Sequence, residues 1–243
     1  MQSIKVAVIQ SNYIPWKGYF DIIHDADLFI FYDDVQYSKN SWRNRNKIKT
    51  SQGTSWLTVP VGAKIHRLAC EVEITDEKWG EKHWKTLRQC YGKAPHFKHY
   101  SDFFEHVYME KAWPSLSELN QFLIKRIAID YLGIHTSFHD SREYKVEGSS
   151  QERLTDLLLK AGAATYISGP AARDYIDEGQ WGLSGIELIY KDYSGYPEYP
   201  QLYPPFDHFV SIIDLLFHMG NDAPYYIWEW REKVVTVNNV STS

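Results

Sequence analysis

Cysteine is almost missing: Cys70 and Cys90 are the only two in 243 residues. They lack CxxC spacing, so neither a disulfide framework nor a zinc knuckle is indicated. Long apolar runs are also absent. None approaches the roughly 20 residues that a bilayer-spanning helix needs, and Met1 to Gln10 lacks the basic start and long apolar centre of a signal peptide. The expected location is the cytoplasm, without membrane insertion. Positive charge is short: 26 Lys and Arg against 31 Asp and Glu leave a net charge of -5, which argues against broad electrostatic capture of nucleic acid. The one basic cluster is Lys39, Arg43, Arg45, Lys47 and Lys49. The histidines form no metal set. His96 and His99, like His135 and His139, have helix-compatible spacing but lie in segments that read as loop and strand, so no metal ligand is assigned and no cofactor is named. Internal repeats, low-complexity tracts and linkers are lacking too, and a single domain over residues 1–243 is expected.

Aromatic residues are abundant, at 16% with 18 Tyr and 9 Trp. Their flat faces and polar tips suit sugars or bases, although most such rings simply fill cores. The apolar, β-branched run at residues 4–10 reads as a buried strand, followed by a helix over Gly18 to Asp25 and a second buried strand at Leu28 to Tyr32. That is a βαβ unit with parallel strands, so the loops at 11–17 and 33–40 leave the same carboxyl edge, where open parallel sheets bind ligands. Strands are also expected at Thr54 to Val61 and Glu71 to Ile74, and a helix over 79–91. Tyr91 to Ala112 is left unassigned. Ser115 to Leu132 reads as a helix opened by a Ser115/Glu118 capping box and closed by Gly133. Strand and helix then alternate again: His135 to Asp140, Gln151 to Ala161 behind a second box at Ser149/Glu152, Thr165 to Ser168, Ala171 to Asp177, and Ile186 to Tyr190. An apolar helix over Phe209 to Met219 follows, and Val237 to Ser243 is expected to fray. The fold class is therefore α/β, a mostly parallel sheet with flanking helices and helical additions in a HUP/Rossmann-like outline.

Four stretches carry groups suited to chemistry. In "IQSNYIPWKGYF", residues 9–20, Gln10, Ser11, Asn12 and Tyr13 bring amides and hydroxyls to a strand end. Pro15 stiffens the turn, and Gly18 would let a backbone approach a helix start, where N–H groups attract anions. Trp16 and Tyr19 belong to the same candidate binding loop. The second loop holds Asp33, Asp34 and Gln36, then Arg43, Asn44 and Arg45. Two carboxylates at a strand end could bind Mg²⁺, orient a hydroxyl or accept an amine proton, or merely pair with Arg43 and Arg45. The arginine forks suit phosphate or carboxylate. Ser168 opens a Ser-Gly-Pro turn that could cradle a second anion or simply start a helix. The fourth group is Tyr199, Gln201 and Asp214, beside His208 and Ser211. Tyr199, Gln201 and Asp214 count as candidate substrate-binding groups; one short helix cannot build a Ser-His-Asp triad, so His208, Ser211 and Asp214 are better read as buried polar groups bracing the Tyr199 to Pro205 loop. Asp214 is the one to test, because an unpaired buried carboxylate is costly.

The first loop is similar in outline to the H-x-G-H loop of HUP-class nucleotidyltransferases, but the equivalent window, Trp16-Lys17-Gly18-Tyr19, keeps only the glycine. The groups that would steady a pyrophosphate leaving group are missing, which makes a self-made adenylate the least comfortable donor. Six ordered stretches, "IQSNYIPWKGYF", "DDVQYSKNSWRNRNKI", "WLTVPV", "KHWKTLRQCYGKAPHF", "TYISGPAARDYI" and "YPEYPQ" with "FVSIIDLLFHMG", resemble the WbqC-like family of surface-polysaccharide and O-antigen gene clusters. Ser11 departs from the proline expected there. The resemblance implies work on amino sugars: transfer of an acyl or aminoacyl group to an amine of a nucleotide-linked sugar or another small amine. In that scheme the first loop with Arg43 and Arg45 would hold phosphate, Asp33 or Asp34 would take the amine proton, and Gln10, Asn12 and Asn44 would orient the acyl carbonyl. The donor could be ATP-activated, thioester-linked or carried by tRNA. The alternatives are a non-catalytic sugar-nucleotide-binding accessory protein and a glycosyltransferase, although the chain has no D-x-D element.

Overall fold

The computed structural model describes residues 4–64 and 66–231; the expected frayed end, Val237 to Ser243, lies outside them. A five-stranded sheet organises the chain. Its strands are β1 (Ile4–Ile9), β2 (Leu28–Phe31), β5 (Ser137–Asp140), β6 (Ala163–Ser168) and β7 (Glu187–Tyr190), arranged β5-β2-β1-β6-β7. All neighbours are parallel. The chain builds outward from β1 to β2 and β5, then returns to the other side for β6 and β7. Its direction of growth therefore reverses between β1 and β6, the switch point where the loops leaving neighbouring strands diverge and open a crevice.

The expected βαβ unit is present, with α1 at Lys17–Asp25. Buried on both faces, β1 and β2 alternate their side chains between two cores. Ala7, Phe29 and Phe31 enter one core with α1, α2 (Trp79–Tyr91), α3 (Phe97–Glu105) and α4 (Leu116–Arg126). Val6, Val8, Leu28 and Ile30 enter the other with α5 (Ser150–Lys160). Ser115 caps α4 by accepting from the Glu118 N–H at 3.2 Å, and Gly133, at φ 66°, adopts the left-handed conformation that stops the helical run. The second capping box does not form: Ser149 places no side-chain oxygen on the first turn of α5.

Other expectations needed correction. The basic run read as loop is half of a hairpin, β3 (Arg45–Thr50) paired antiparallel with β4 (Gly53–Thr58). Its buried positions are Asn46, Ile48 and Lys49, so the inward side is partly polar and the hydrophobic alternation that marks a strand was masked. Glu71 to Ile74 is not a strand; a single 3-10 turn covers Ala69–Glu71, and Glu73 makes only an isolated bridge to Ser115. Pro170–Asp174 is likewise 3-10, followed by one turn of helix, α6 (Glu178–Trp181). The unassigned stretch contains α3 with a wide π-turn at His106–Glu110. The final apolar helix, α7, spans Ile212–Met219 and starts later than expected, because the Ser211 N–H donates to the Lys47 carbonyl and its hydroxyl to the Ile14 carbonyl. No helix among the described residues is long and apolar enough to cross a membrane.

Candidate functional site

A cavity of about 910 Å³ opens at the switch point. Gln10, Asn12, Trp16 and Tyr19 line it from the loop after β1 and from α1; Asp34 and Gln36 from the loop after β2; Ser168 to Ala172 from the exit of β6. Arg43 reaches it from the approach to the hairpin, and Gly148 to Gln151 with Arg153 from the start of α5. Residues far apart in the chain thus meet on one rim, as crossovers of opposite direction require.

The first loop is held in an uncommon shape. Ile14 sits at φ 36°, a region that β-branched residues avoid at a cost of about 1–3 kcal/mol. Four contacts hold it there. Asn46 Nδ2 donates to the Tyr13 and Ile14 carbonyls at 3.1 and 3.0 Å, Ser211 Oγ donates to the Ile14 carbonyl at 2.7 Å, and the Ile212 N–H donates to the Pro15 carbonyl at 2.8 Å. The strained turn aims Asn12 and Trp16 at the cavity. Gly18 has a different role from the one expected. A Cβ there would lie 2.3 Å from the Trp16 ring, so its missing side chain makes room for the indole, and Gly18 itself does not line the cavity.

Arg43 is the most telling residue. Its guanidinium donates to Gln10 Oε1 and makes no ion pair among the described residues, while its Nε is buried without a partner. Burial pulls its pKa below the usual arginine value, because a cation removed from water is disfavoured, although the Asp33 carboxylate behind the wall acts in the opposite direction. Asn12 Oδ1 is a second buried atom without a partner. Gln10 Nε2 reaches the Gln36 carbonyl at 3.4 Å. Burial also raises the pKa of the cavity phenols of Tyr19, Tyr32, Tyr166 and Tyr193, so they stay protonated at neutral pH. Two oppositely behaving sets result: donors without an anion, and an acceptor without a donor.

The adjacent acids part company. Asp33 is fully buried behind the wall, where its carboxylate accepts from the Ser11 N–H at 2.8 Å, Ser117 Oγ at 2.5 Å and Gln121 Nε2 at 3.1 Å. Proline at position 11 would have no N–H to give it. Asp34 lines the cavity, held by Ser141 Oγ at 2.5 Å and by Arg153 through contacts of 2.6 and 3.4 Å. Several other expected binding residues lie elsewhere. Tyr13 is in the core, its hydroxyl between His83 Nδ1 and the Tyr108 hydroxyl at 2.8 and 2.7 Å. Asn44 is buried and donates to the Val59 carbonyl at 3.1 Å. Arg45 stacks over Trp56 at 4.3 Å, away from the large cavity. Tyr199 and Gln201 both reach Asp214 Oδ1, at 2.8 and 2.9 Å, while Tyr91 reaches its Oδ2 at 2.9 Å; none of the four lines the large cavity. Ser168 does line the cavity, with its hydroxyl 3.1 Å from that of Tyr166.

Sequence reasoning missed Arg153, Tyr32, Tyr175 and Tyr193, all cavity residues. No local motif marks them, and only the strand order brings them together. Among the described residues no cluster of three His, Cys, Asp or Glu could hold a metal ion.

A family model described as the WbqC-like protein family matches residues 10–226, in keeping with the resemblance of the six stretches. "Uncharacterized protein Rv1507c" of Mycobacterium tuberculosis is 46% identical over 230 residues, which cover 94% of this chain and 99% of that protein. No solved structure matches.

Proposed function

Since the chain belongs to the WbqC-like protein family, we propose that it is a cytoplasmic enzyme of surface-polysaccharide biosynthesis that acylates an amine of a nucleotide-linked sugar. The switch-point cavity is the acceptor site. Arg43 binds phosphate through its terminal guanidinium nitrogens, with the protonated phenols as further donors. Asn12 Oδ1 accepts an N–H of the substrate amine. The amine lone pair attacks the carbonyl carbon of an ester or thioester donor; the C–N bond forms, the bond to the leaving oxygen or sulfur breaks, and that atom keeps the electron pair. The proton lost by nitrogen passes to Asp34, which retains lone-pair capacity beside Arg153 and Ser141. Asp33 is a positioning residue that fixes Ser11 and hence the first loop.

The observation that carries this reading is Arg43, a cation in the cavity wall with its Nε buried and no carboxylate paired to it. An anionic guest removes that imbalance. One feature favours a second reading, a non-catalytic carrier of the same ligand: Asp34 is already engaged in a two-point ion pair. Native mass spectrometry of protein purified from its own cells, followed by incubation with cell extract, separates the two. A co-purifying nucleotide sugar that becomes N-acylated supports the enzyme, whereas one that returns unchanged supports the carrier. Arg43→Ala is expected to weaken capture by about 10- to 100-fold, the size of a lost charged hydrogen bond. Equal capture by wild type and variant refutes both.

A further inference from the structure

A second, smaller cavity of about 240 Å³ lies against the first, lined by Asn12, Pro15, Trp16, Trp42, Asn46 and Phe209. Asn12 and Trp16 line both, so the two spaces share a wall at these two residues. Three of the six lining residues are aromatic, and the rim continues outward in the same character. Trp42 is 43% exposed, Phe209 60% and Trp56 41%, values far above those of rings that merely fill a core. Trp42 and Trp56 lie 5.3 Å apart. Over the Trp56 ring sit two cations, Arg45 at 4.3 Å and Lys47 at 5.5 Å. Neither forms a salt bridge among the described residues, and Arg45 Nε is buried without a partner. Rings presented to solvent with uncompensated cations beside them are what a stacked base followed by phosphate requires.

We propose that this smaller cavity and its hairpin rim are a donor subsite that binds the base and phosphate of a nucleotide carrying the acyl group. The base lies against Trp42 and Phe209, the phosphate meets Arg45 and Lys47, and the acyl end reaches Asn12 at the wall shared with the larger cavity. The hairpin's polar inner side serves the same purpose: Asn46 both walls the subsite and fixes the loop that separates it from the acceptor site. The inference rests on the reading of the larger cavity as the acceptor site. Two carriers share this chemistry, coenzyme A and the 3′ end of an RNA.

Calorimetric titration of the full chain tests it, with adenosine monophosphate, coenzyme A and a single-stranded RNA ending in ACCA as probes and ribose 5-phosphate as the base-free control. The nucleotides are expected to bind, and the control to bind at least about tenfold more weakly, the contribution of one stacked base. Trp42→Ala and Phe209→Ala should each weaken nucleotide binding by about tenfold; both side chains are exposed, and matching melting curves verify folding. Tighter binding of coenzyme A identifies a thioester carrier, and tighter binding of the RNA an RNA-borne one. No nucleotide binding, or binding indifferent to both substitutions, overturns the proposal. UDP-glucosamine keeps the acceptor reading separate: its capture should fall in Arg43→Ala and persist in Trp42→Ala, so either site can fail without the other.

Discussion

Two buried polar regions of this molecule look alike in sequence and differ in one physical respect. Around Asp214 the polar groups answer one another: its carboxylate accepts from Tyr91, Tyr199 and Gln201, and His218 Nδ1 reaches its carbonyl at 2.6 Å. Around the switch point, Asn12 Oδ1 and Arg43 Nε have no partner. A buried polar group costs little when bonded and much when it is not. The first region is bonded as a structural brace would be. The second holds open capacity, which a ligand would fill. Both regions are chemically rich; they differ in that the polar groups around Asp214 are bonded to one another, whereas two of those at the switch point are not.

The strongest way to break this contrast is Asp214→Ala. It would leave the Tyr91 and Tyr199 phenols buried without their acceptor, at an expected cost of about 3–5 kcal/mol. Urea unfolding measures it. Whatever protein remains folded should capture UDP-glucosamine as wild type does. A variant that unfolds normally but loses capture would mean that the Tyr199, Gln201 and Asp214 group is a binding site after all.

A smaller effect is expected at Asp33. Asp33→Asn keeps the shape but presents an amide where Ser11, Ser117 and Gln121 all donate, so roughly 1–3 kcal/mol of stability should go. The first loop loosens with it, weakening capture in proportion. Lost turnover with unchanged stability would instead make Asp33 the base and overturn its assignment to the wall.

Much of the frame was legible in the residues. The β-branched run of β1, the amphipathic α1 and the apolar β2 announce a parallel pair, and a parallel pair fixes the edge where loops gather. Which loop residues line the cavity was less visible. Gln10 and Asn12 line the cavity while Ser11 and Tyr13 turn inward, and Asp34 lines it while Asp33 does not. Reading each loop as a patch of useful chemistry merged the two sides. The second strand of the hairpin was expected, but the first was hidden for a related reason: Asn46 and Lys49 occupy buried positions of β3, so the core side of that strand does not look apolar. Arg153 and Tyr193 carry no signal at all, since only tertiary folding brings them to the rim.

The smallest expected effect probes the back of the first loop through His83. Its Nε2 lies 3.1 Å from the Thr58 carbonyl, which can only accept, so Nε2 carries the proton and Nδ1 accepts from the Tyr13 hydroxyl. Burial lowers the pKa of this imidazole to about 4, because no anion compensates a charge there. The unfolded chain, with an ordinary histidine pKa of about 6.5, binds the proton first. Stability is therefore intact above about pH 6.5 and declines as pH falls toward 4, by about 1 kcal/mol between pH 7 and 5.5. Other groups titrate in this range, so the measurement is the difference between wild type and His83→Gln in chemical denaturation across it. A difference that shrinks on acidification matches the neutral brace. A difference that stays constant would show that the imidazole bears its charge inside the fold, and the tie from Tyr13 to α2 and the hairpin would then need another account.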